Sequence, residues 1–261
     1  VVQEKLDLSV IILARNEGKV IDRCIRSAGF AHEIIVVDSG STDDTREVAE
    51  NLGARVVSHP WPGDFSVQRN FADTLATHDW VMHIDADERV STELAAEIQD
   101  FFHSGFHQQY VMCKIPMKEY LLGKWIEDGG FYPQFKHRLL KRGSGTWVGR
   151  VHEKFVPEGE VKTLNNPLLH DSYRDIQTFI DKINRYSSMD AEEIFKSGNK
   201  FSLFRLFFMP AERFFGRFIK HRGYKDGFHG FVLAALIGLN YFLRYLKLWE
   251  KYYFEEKRKE Q

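Results

Sequence analysis

Cysteine, long apolar runs and net charge are all scarce in this chain. Two cysteines among 261 residues, Cys24 and Cys113, cannot build a disulfide framework, and no Cys/His cluster has structural-zinc spacing, which favours a reducing compartment. A Gly-x-x-x-x-Gly-Lys-Ser/Thr phosphate loop is missing, as is a Gly-x-Gly-x-x-Gly opening the first helix. Both absences argue against an ATPase or a nicotinamide-dependent dehydrogenase. The longest apolar stretch, Phe231–Leu239, reaches Leu243 only by including Asn240. Thirteen helical residues cover roughly 20 Å against a hydrocarbon core of about 30 Å, which argues against a transmembrane span. The first residues lead straight into Leu8-Ser-Val-Ile-Ile-Leu13 without a signal-peptide pattern, although the chain starts at Val, which leaves a short missing leader open.

The net charge of −1 conceals an uneven distribution. Residues 1–200 hold 24 Lys+Arg against 31 Asp+Glu, whereas residues 201–261 hold 12 against 6 and 17 of the 37 aromatics. A basic, aromatic tail points to an anionic surface, membrane or nucleic acid. Phe204, Phe207, Phe208, Ala211, Phe215 and Phe218 fall on one helical face, with Arg205, Arg213, Arg217 and Lys220 largely off it. This period is that of a helix face rather than of a base-stacking β platform, which disfavours nucleic acid. Packing on the body or an oligomer contact is the alternative to a membrane surface.

Before the tail, β-like runs alternate with helix-period segments. Leu8–Leu13 is followed by a helical Lys19–Ser27, strand Glu33–Val37, a helix opening at Ser41-Thr-Asp-Asp44 and stopping at Gly53, strand Ala54–Ser58, helix Ser66–His78 and strand Trp80–Ile84. This rhythm predicts an α/β fold with a mostly parallel sheet flanked by helices. From Tyr173 onward only helices are expected, and Pro210 either kinks the Phe-rich run or begins a second helix. The expected organisation is a catalytic domain over 1–172 and a helical extension over 173–261.

Ligands of such sheets bind beyond the carboxyl ends of the strands. There the sequence places Ala14-Arg-Asn-Glu17, Asp38-Ser-Gly-Ser-Thr-Asp43 and Asp85-Ala-Asp-Glu88. Carboxylates closing an apolar strand are expensive unless a cation offsets them. If the strand stays extended, Asp85 and Asp87 leave it on the same side. A divalent metal carrying a phosphate is the natural occupant, and Asp-Ala-Asp is the remaining way to bind a nucleotide diphosphate.

Val10-Ile-Ile-Leu-Ala-Arg-Asn-Glu17, Ile34-Ile-Val-Val-Asp-Ser-Gly-Ser-Thr-Asp43, Gln68-Arg-Asn70 and His83-Ile-Asp-Ala-Asp-Glu88 together resemble, in order and spacing, the inverting family-2 glycosyltransferases of the GT-A fold. Gly63-Asp-Phe-Ser-Val-Gln-Arg-Asn70 and Trp147-Val-Gly-Arg-Val-His-Glu153 resemble the bacterial branch that includes lipopolysaccharide-core β-1,4-glucosyltransferases. The resemblance implies that Asp38 meets the uracil ring, Asn16 and Glu17 line the nucleoside pocket, and Arg69 lies near the base or diphosphate. It further implies that Asp85 reaches the ribose and Asp87 ligates Mn²⁺ or Mg²⁺. His170, which fits better than His152, would join the metal, and Arg138 would contact the diphosphate unless it is only a strand-edge cation.

An inverting transfer also needs a base for the acceptor hydroxyl. Glu153 is favoured over Asp128, which precedes a Gly-Gly turn. The implied activity is transfer of a hexose, glucose from UDP-glucose first, to a glycolipid such as the lipopolysaccharide inner core. The implied setting is the cytoplasmic face of a bacterial inner membrane, with a homo-oligomer left open. A nucleotidyltransferase acting on a sugar phosphate and a non-catalytic membrane-associated assembly protein are the rival classes.

Overall fold

The computed structural model describes residues 5–150 and 153–259. The chain divides into two compact units, one of Val1–Lys118 with Gln134–His170 and one of Glu119–Pro133 with Asp171–Gln261.

The first unit opens with the α/β alternation read from the sequence: β1 (Leu6–Ala14), α1 (Ile21–Ser27), β2 (Ala31–Asp38), α2 (Thr45–Asn51), β3 (Arg55–Ser58), α3 (Phe65–Asp73) and β4 (Trp80–Asp85). Then follow β5 (Glu88–Val90), α4 (Thr92–His103), β6 (Met112–Leu121), the short β7 (Lys124–Ile126) of the second unit, β8 (Gln134–Lys141), β9 (Gly145–Val148), β10 (Lys154–Pro157), β11 (Val161–Thr163) and β12 (Leu168–Tyr173). The strand order is β3-β2-β1-β4-β8-β6-β12-β5, with β11 paired to β6 and a separate β9/β10 ribbon. The sheet is therefore mixed. β3, β2, β1 and β4 run parallel, whereas β8 is antiparallel to both β4 and β6.

β1 is central because its residues are buried on both faces, the signature of a parallel strand covered by helices. Leu8, Val10 and Ile12 pack with Ile21 and Ile25 of α1 and with Leu94 and Ile98 of α4. Ile11 points the other way, with Ile35, Val37, Val81 and the Ala72 of α3. α3 is capped by Asp64, whose carboxylate accepts the N–H groups of Ser66 (2.8 Å) and Val67 (3.2 Å). It ends at Asp73 rather than His78, its last residues being spent in turns over Phe71 and Ala72.

In the second unit, β7 pairs antiparallel with the Glu119–Leu121 end of β6. Helices α5 (Ile176–Lys196), α6 (Leu203–Phe215) and α7 (Phe228–Lys259) follow. Of the predicted α5 stripe, Phe179 and Ile183 are buried but Ile176 and Ile180 are exposed. Pro210 does not break α6, which continues to Phe215 and leads into a π-helical turn over Gly216–Lys220. Gly238 lets α7 approach α6 closely, since a Cβ there would stand 3.1 Å from the Pro210 carbonyl oxygen.

The tail departs from the sequence expectation in one respect. α7 is a single helix of 32 residues, about 48 Å long at 1.5 Å per residue. Its Phe228–Glu255 portion is long and apolar enough to cross a membrane by length and composition. An apolar-run count stops at the first polar residues, whereas here Arg244 is paired with Asp190 of α5 and Lys247 donates to the Asn184 carbonyl (2.6 Å) and to Ser187 and Ser188 hydroxyls (2.8 and 2.7 Å). Arg and Lys are themselves good helix formers, so the helix runs on past its apolar stretch, and these contacts tie it to α5.

Candidate active site

Register brings the polar strand ends together. Ala14 lies opposite Asp38 on β2, and Leu13 lies opposite Asp85 on β4. Asp38 is buried, and its carboxylate accepts the loop N–H groups of Gly40 (3.3 Å) and Ser41 (3.1 Å). Asn16 adopts a left-handed conformation (φ 56°), which asparagine tolerates. Its Oδ1 accepts the Thr42 N–H (2.8 Å), and its own N–H donates to the Ser41 hydroxyl (2.9 Å). The Glu17 N–H donates to the Thr45 hydroxyl at 2.8 Å. Asn16, Glu17 and Asp38 therefore belong to one interlocked pair of loops.

Next to them lies a buried charge network. Arg69 on α3 is only 1% exposed; its Nε donates to Glu153 Oε1 and its Nη2 to Asp85 Oδ1, each at 2.9 Å. Arg138 Nη2 donates to the second Asp85 oxygen at 2.8 Å and also to Glu88 Oε1. Glu88 is fully buried, and its other oxygen accepts the Asp85 N–H at 2.9 Å. Burial alone would push the Asp85 carboxyl upward, but Arg138 and then Arg69 outweigh it and hold it well below the usual carboxylate range. Burial pushes the Glu88 carboxyl up against the pull of Arg138. Arg69 Nη1 and Arg138 Nε are buried without a hydrogen-bond partner, so the network has donor capacity left unfilled.

The extended run through Asp-Ala-Asp does not persist. β4 ends at Asp85 and the chain turns at Ala86–Asp87 before β5. The same-side argument for Asp85 and Asp87 is thus corrected: Asp85 engages the two arginines, whereas Asp87 Oδ1 stands 3.3 Å from His170 Nε2. His170 reaches that place because β12 pairs with β5, setting His170 opposite Glu88. Asp87 and His170 make a donor set of one carboxylate and one imidazole. No group of three or more His, Cys, Asp or Glu among the described residues could hold a metal. Such a pair does not suit a closed zinc site. It fits a Mg²⁺- or Mn²⁺-type ion whose other positions are taken by phosphate oxygens and water.

The two motifs Gly63–Asn70 and Trp147–Arg150 come together as well. Asn70 donates to the Trp147 carbonyl and accepts the Trp147 N–H, both at 3.0 Å. Arg150 Nε donates to the Gly63 carbonyl at 2.9 Å. The Trp147 ring lies 4.9 Å from the Arg69 guanidinium, covering it. Gln68 is fully buried and donates to the Ser39 hydroxyl at 3.1 Å, tying α3 to the Asp38 loop.

Three placements differ from the sequence expectation or add to it. Arg138 is not an edge cation, because β8 lies between β4 and β6. Glu88, given no role in the sequence reading, is the buried partner of both Arg138 and the Asp85 backbone; its place next to Asp87 in the Asp-Ala-Asp-Glu run was the available signal. Asp128 belongs to the second unit, where its N–H donates to Asp226 (3.0 Å) and its carboxylate stands 3.9 Å from Lys225 Nζ. His152 lies outside the described residues.

Comparison with known proteins bears on this arrangement. The family model "Glycosyl transferase family 2" matches residues 9–151. An uncharacterized glycosyltransferase of Rickettsia felis is 35% identical over 256 residues, covering 93% of this chain and 89% of the relative. The lipopolysaccharide core biosynthesis glycosyltransferase LpsC of Rhizobium meliloti is 29% identical over 256 residues, with 95% and 94% covered. Among solved structures, S. aureus TarS 1–349 aligns with TM-score 0.49 at 15% identity, over 96% of this chain and 92% of that one. Glucosyl-3-phosphoglycerate synthase from Mycobacterium tuberculosis, in complex with Mn²⁺, UDP and glucosyl-3-phosphoglycerate, aligns with TM-score 0.46 at 18% identity, over 73% and 80%. With a family match over more than half of its length and near full-length likeness to named glycosyltransferases, this chain belongs to glycosyl transferase family 2.

Proposed function

We propose that the protein transfers a hexose, glucose from UDP-glucose in the first instance, to a hydroxyl of a glycolipid such as the lipopolysaccharide inner core, inverting the anomeric carbon. The observation that carries this reading is the convergence of Glu153, 84 positions from Arg69 in sequence, on the same arginine that holds Asp85, beside the Asp87–His170 pair. Likeness to LpsC supports the acceptor class, and a lipid-linked acceptor places the enzyme against the cytoplasmic face of a bacterial membrane. Family membership disfavours the nucleotidyltransferase and non-catalytic alternatives.

In this reading Asn16, Glu17 and Asp38 receive the nucleoside, and Asp85, held by two arginines, meets the ribose. Arg138 meets the diphosphate. Asp87 and His170 would hold the divalent cation. When bound, that cation supplies positive charge to the departing nucleoside diphosphate, so no protein acid need protonate it. Glu153 is fixed through Oε1 by Arg69, and its other oxygen takes the proton of the acceptor hydroxyl. The hydroxyl oxygen then forms its bond to the anomeric carbon as the carbon–oxygen bond to the diphosphate breaks and its electron pair leaves with the diphosphate. Asp128 is the second candidate for the base.

A thermal-shift screen of nucleotide sugars with and without Mn²⁺, followed by transfer assays on lipid extracts, tests the proposal. Stabilisation by a UDP-sugar only with the metal present is expected, and Asp87→Ala should abolish transfer with its circular dichroism unchanged. Full metal-dependent activity in that variant would contradict the metal assignment, and transfer lost in Asp128→Asn but kept in Glu153→Gln would reassign the base.

A further inference from the structure

We propose that the outer face of α6, with the turn after it and the Phe228 end of α7, docks in the interfacial plane of an anionic phospholipid bilayer. α6 already has an inner contact through Leu206, which is buried with Ala191 of α5 and Tyr245 and Leu248 of α7. Several of its outward residues are nonetheless aromatic. Phe204 and Phe207 are 70% and 63% exposed, and Phe208, Phe215, Ile219 and Phe228 are also exposed. The Phe204 and Phe208 rings stack at 4.9 Å, forming a continuous apolar surface rather than scattered side chains. A patch of this kind marks an interaction site.

Charge complementarity names the occupant. Between Leu203 and Phe231 the chain carries six Lys/Arg and two acids, Glu212 and Asp226. Asp226 is buried and accepts the N–H groups of Glu127 (3.4 Å) and Asp128 (3.0 Å), so Glu212 is the exposed acid of the segment. Arg205, Lys220, Arg222 and Lys225 are exposed. Phenylalanine inserted at the acyl boundary with cations among the headgroups is the composition of an interfacial helix. Crossing is disfavoured by the neighbours of α7. Its Arg244 is paired with Asp190 of α5, and α5 exposes Asp181, Arg185, Glu193 and Lys196, charges that hydrocarbon would not tolerate. The choice of a lipid partner rests on the glycolipid-acceptor reading, whereas the surface and its test need no turnover.

The test is sedimentation of the full chain with vesicles of phosphatidylcholine alone or mixed with phosphatidylglycerol. Binding to the anionic vesicles, weakened by salt, is expected. The triple variant Phe204→Ser, Phe207→Ser, Phe208→Ser should bind about tenfold or more weakly. Arg205→Gln, Lys220→Gln and Arg222→Gln together should cost about fivefold for each cation. Circular dichroism checks folding, and Phe207→Ser alone replaces the triple variant if the latter unfolds. The proposal is overturned if the wild type stays in the supernatant, or if the serine variants bind as the wild type does. It is also overturned if light scattering shows that the same face holds a lipid-independent dimer, or if the protein resists alkaline extraction from membranes as a spanning helix does. Donor hydrolysis in detergent is read separately: vesicle binding without turnover of any nucleotide sugar overturns the transferase reading and leaves docking standing, and turnover without binding does the reverse.

Discussion

Replacing Arg69 tests how the site is held. Its guanidinium is almost completely buried and bridges Glu153 and Asp85 with two 2.9 Å bonds. Arg69→Met leaves both carboxylates in place without that cation. Breaking a buried ion pair from one side costs about 3–5 kcal/mol, a large part of the ~5–15 kcal/mol that holds a domain folded. At about 2–4 °C per kcal/mol for a chain of this size, the melting midpoint should fall by roughly 6–20 °C. Arg69→Lys keeps the charge but replaces a planar fork by a point donor, so it should lose one charge-assisted bond, about 1.5–3 kcal/mol. Turnover should fall as well, since displacing the proposed base Glu153 by about 1 Å costs on the order of 10²-fold, roughly 2.7 kcal/mol of barrier. Urea unfolding and the rate of sugar transfer measure the two effects. A double-mutant cycle with Glu153→Gln should return a coupling of about 0.5–3 kcal/mol. An Arg69→Met protein with wild-type unfolding and turnover would refute the bridging role.

Three further outcomes follow from residues around the sheet. Burial raises the Cys24 thiol well above its ordinary value and pushes Cys113 up to about 12, so neither should react with iodoacetamide at pH 8 until denaturant is added; rapid labelling of the native protein would contradict this. His83 has its imidazole lowered by burial, against the opposing Asp73 at 2.6 Å. The unfolded chain therefore takes up this proton first, and stability should decline as pH falls below about 6.5 towards the lowered native value. His83→Gln should flatten the urea midpoint across that window, and an unchanged slope would contradict it. At Gly145 a Cβ would stand 2.1 Å from the Val156 carbonyl oxygen, so Gly145→Ala should destabilise by about 1–3 kcal/mol or part the β9/β10 ribbon, seen as a lower melting midpoint.

The parallel half of the sheet was legible because β1, β2 and β4 are short apolar runs ending in polar residues, and the first three helices carry their own apolar period. The positions of Asn16, Asp38 and Asp85 at the sheet's carboxyl edge were legible for the same reason: each ends or follows a strand that must be buried. The antiparallel half was not. β8, β9 and β10 carry mixed sequences whose pairing depends on partners distant in the chain, so local pattern did not place Arg138 in the sheet interior. Glu88 was missed because a carboxylate after Asp-Ala-Asp has no evident partner until Arg138 is seen against it. The length of α7 was missed because an apolar-run count stops at Arg244 and Lys247, whereas both residues are good helix formers and let the helix continue.

The most direct test of the account is the anomeric configuration of the product formed from a UDP-hexose and a lipid-extracted acceptor, read by NMR with and without Mn²⁺. The account predicts a single inverted linkage that needs the metal and disappears in Asp87→Ala. A retained configuration, or equal product in the presence of a chelator, would contradict it.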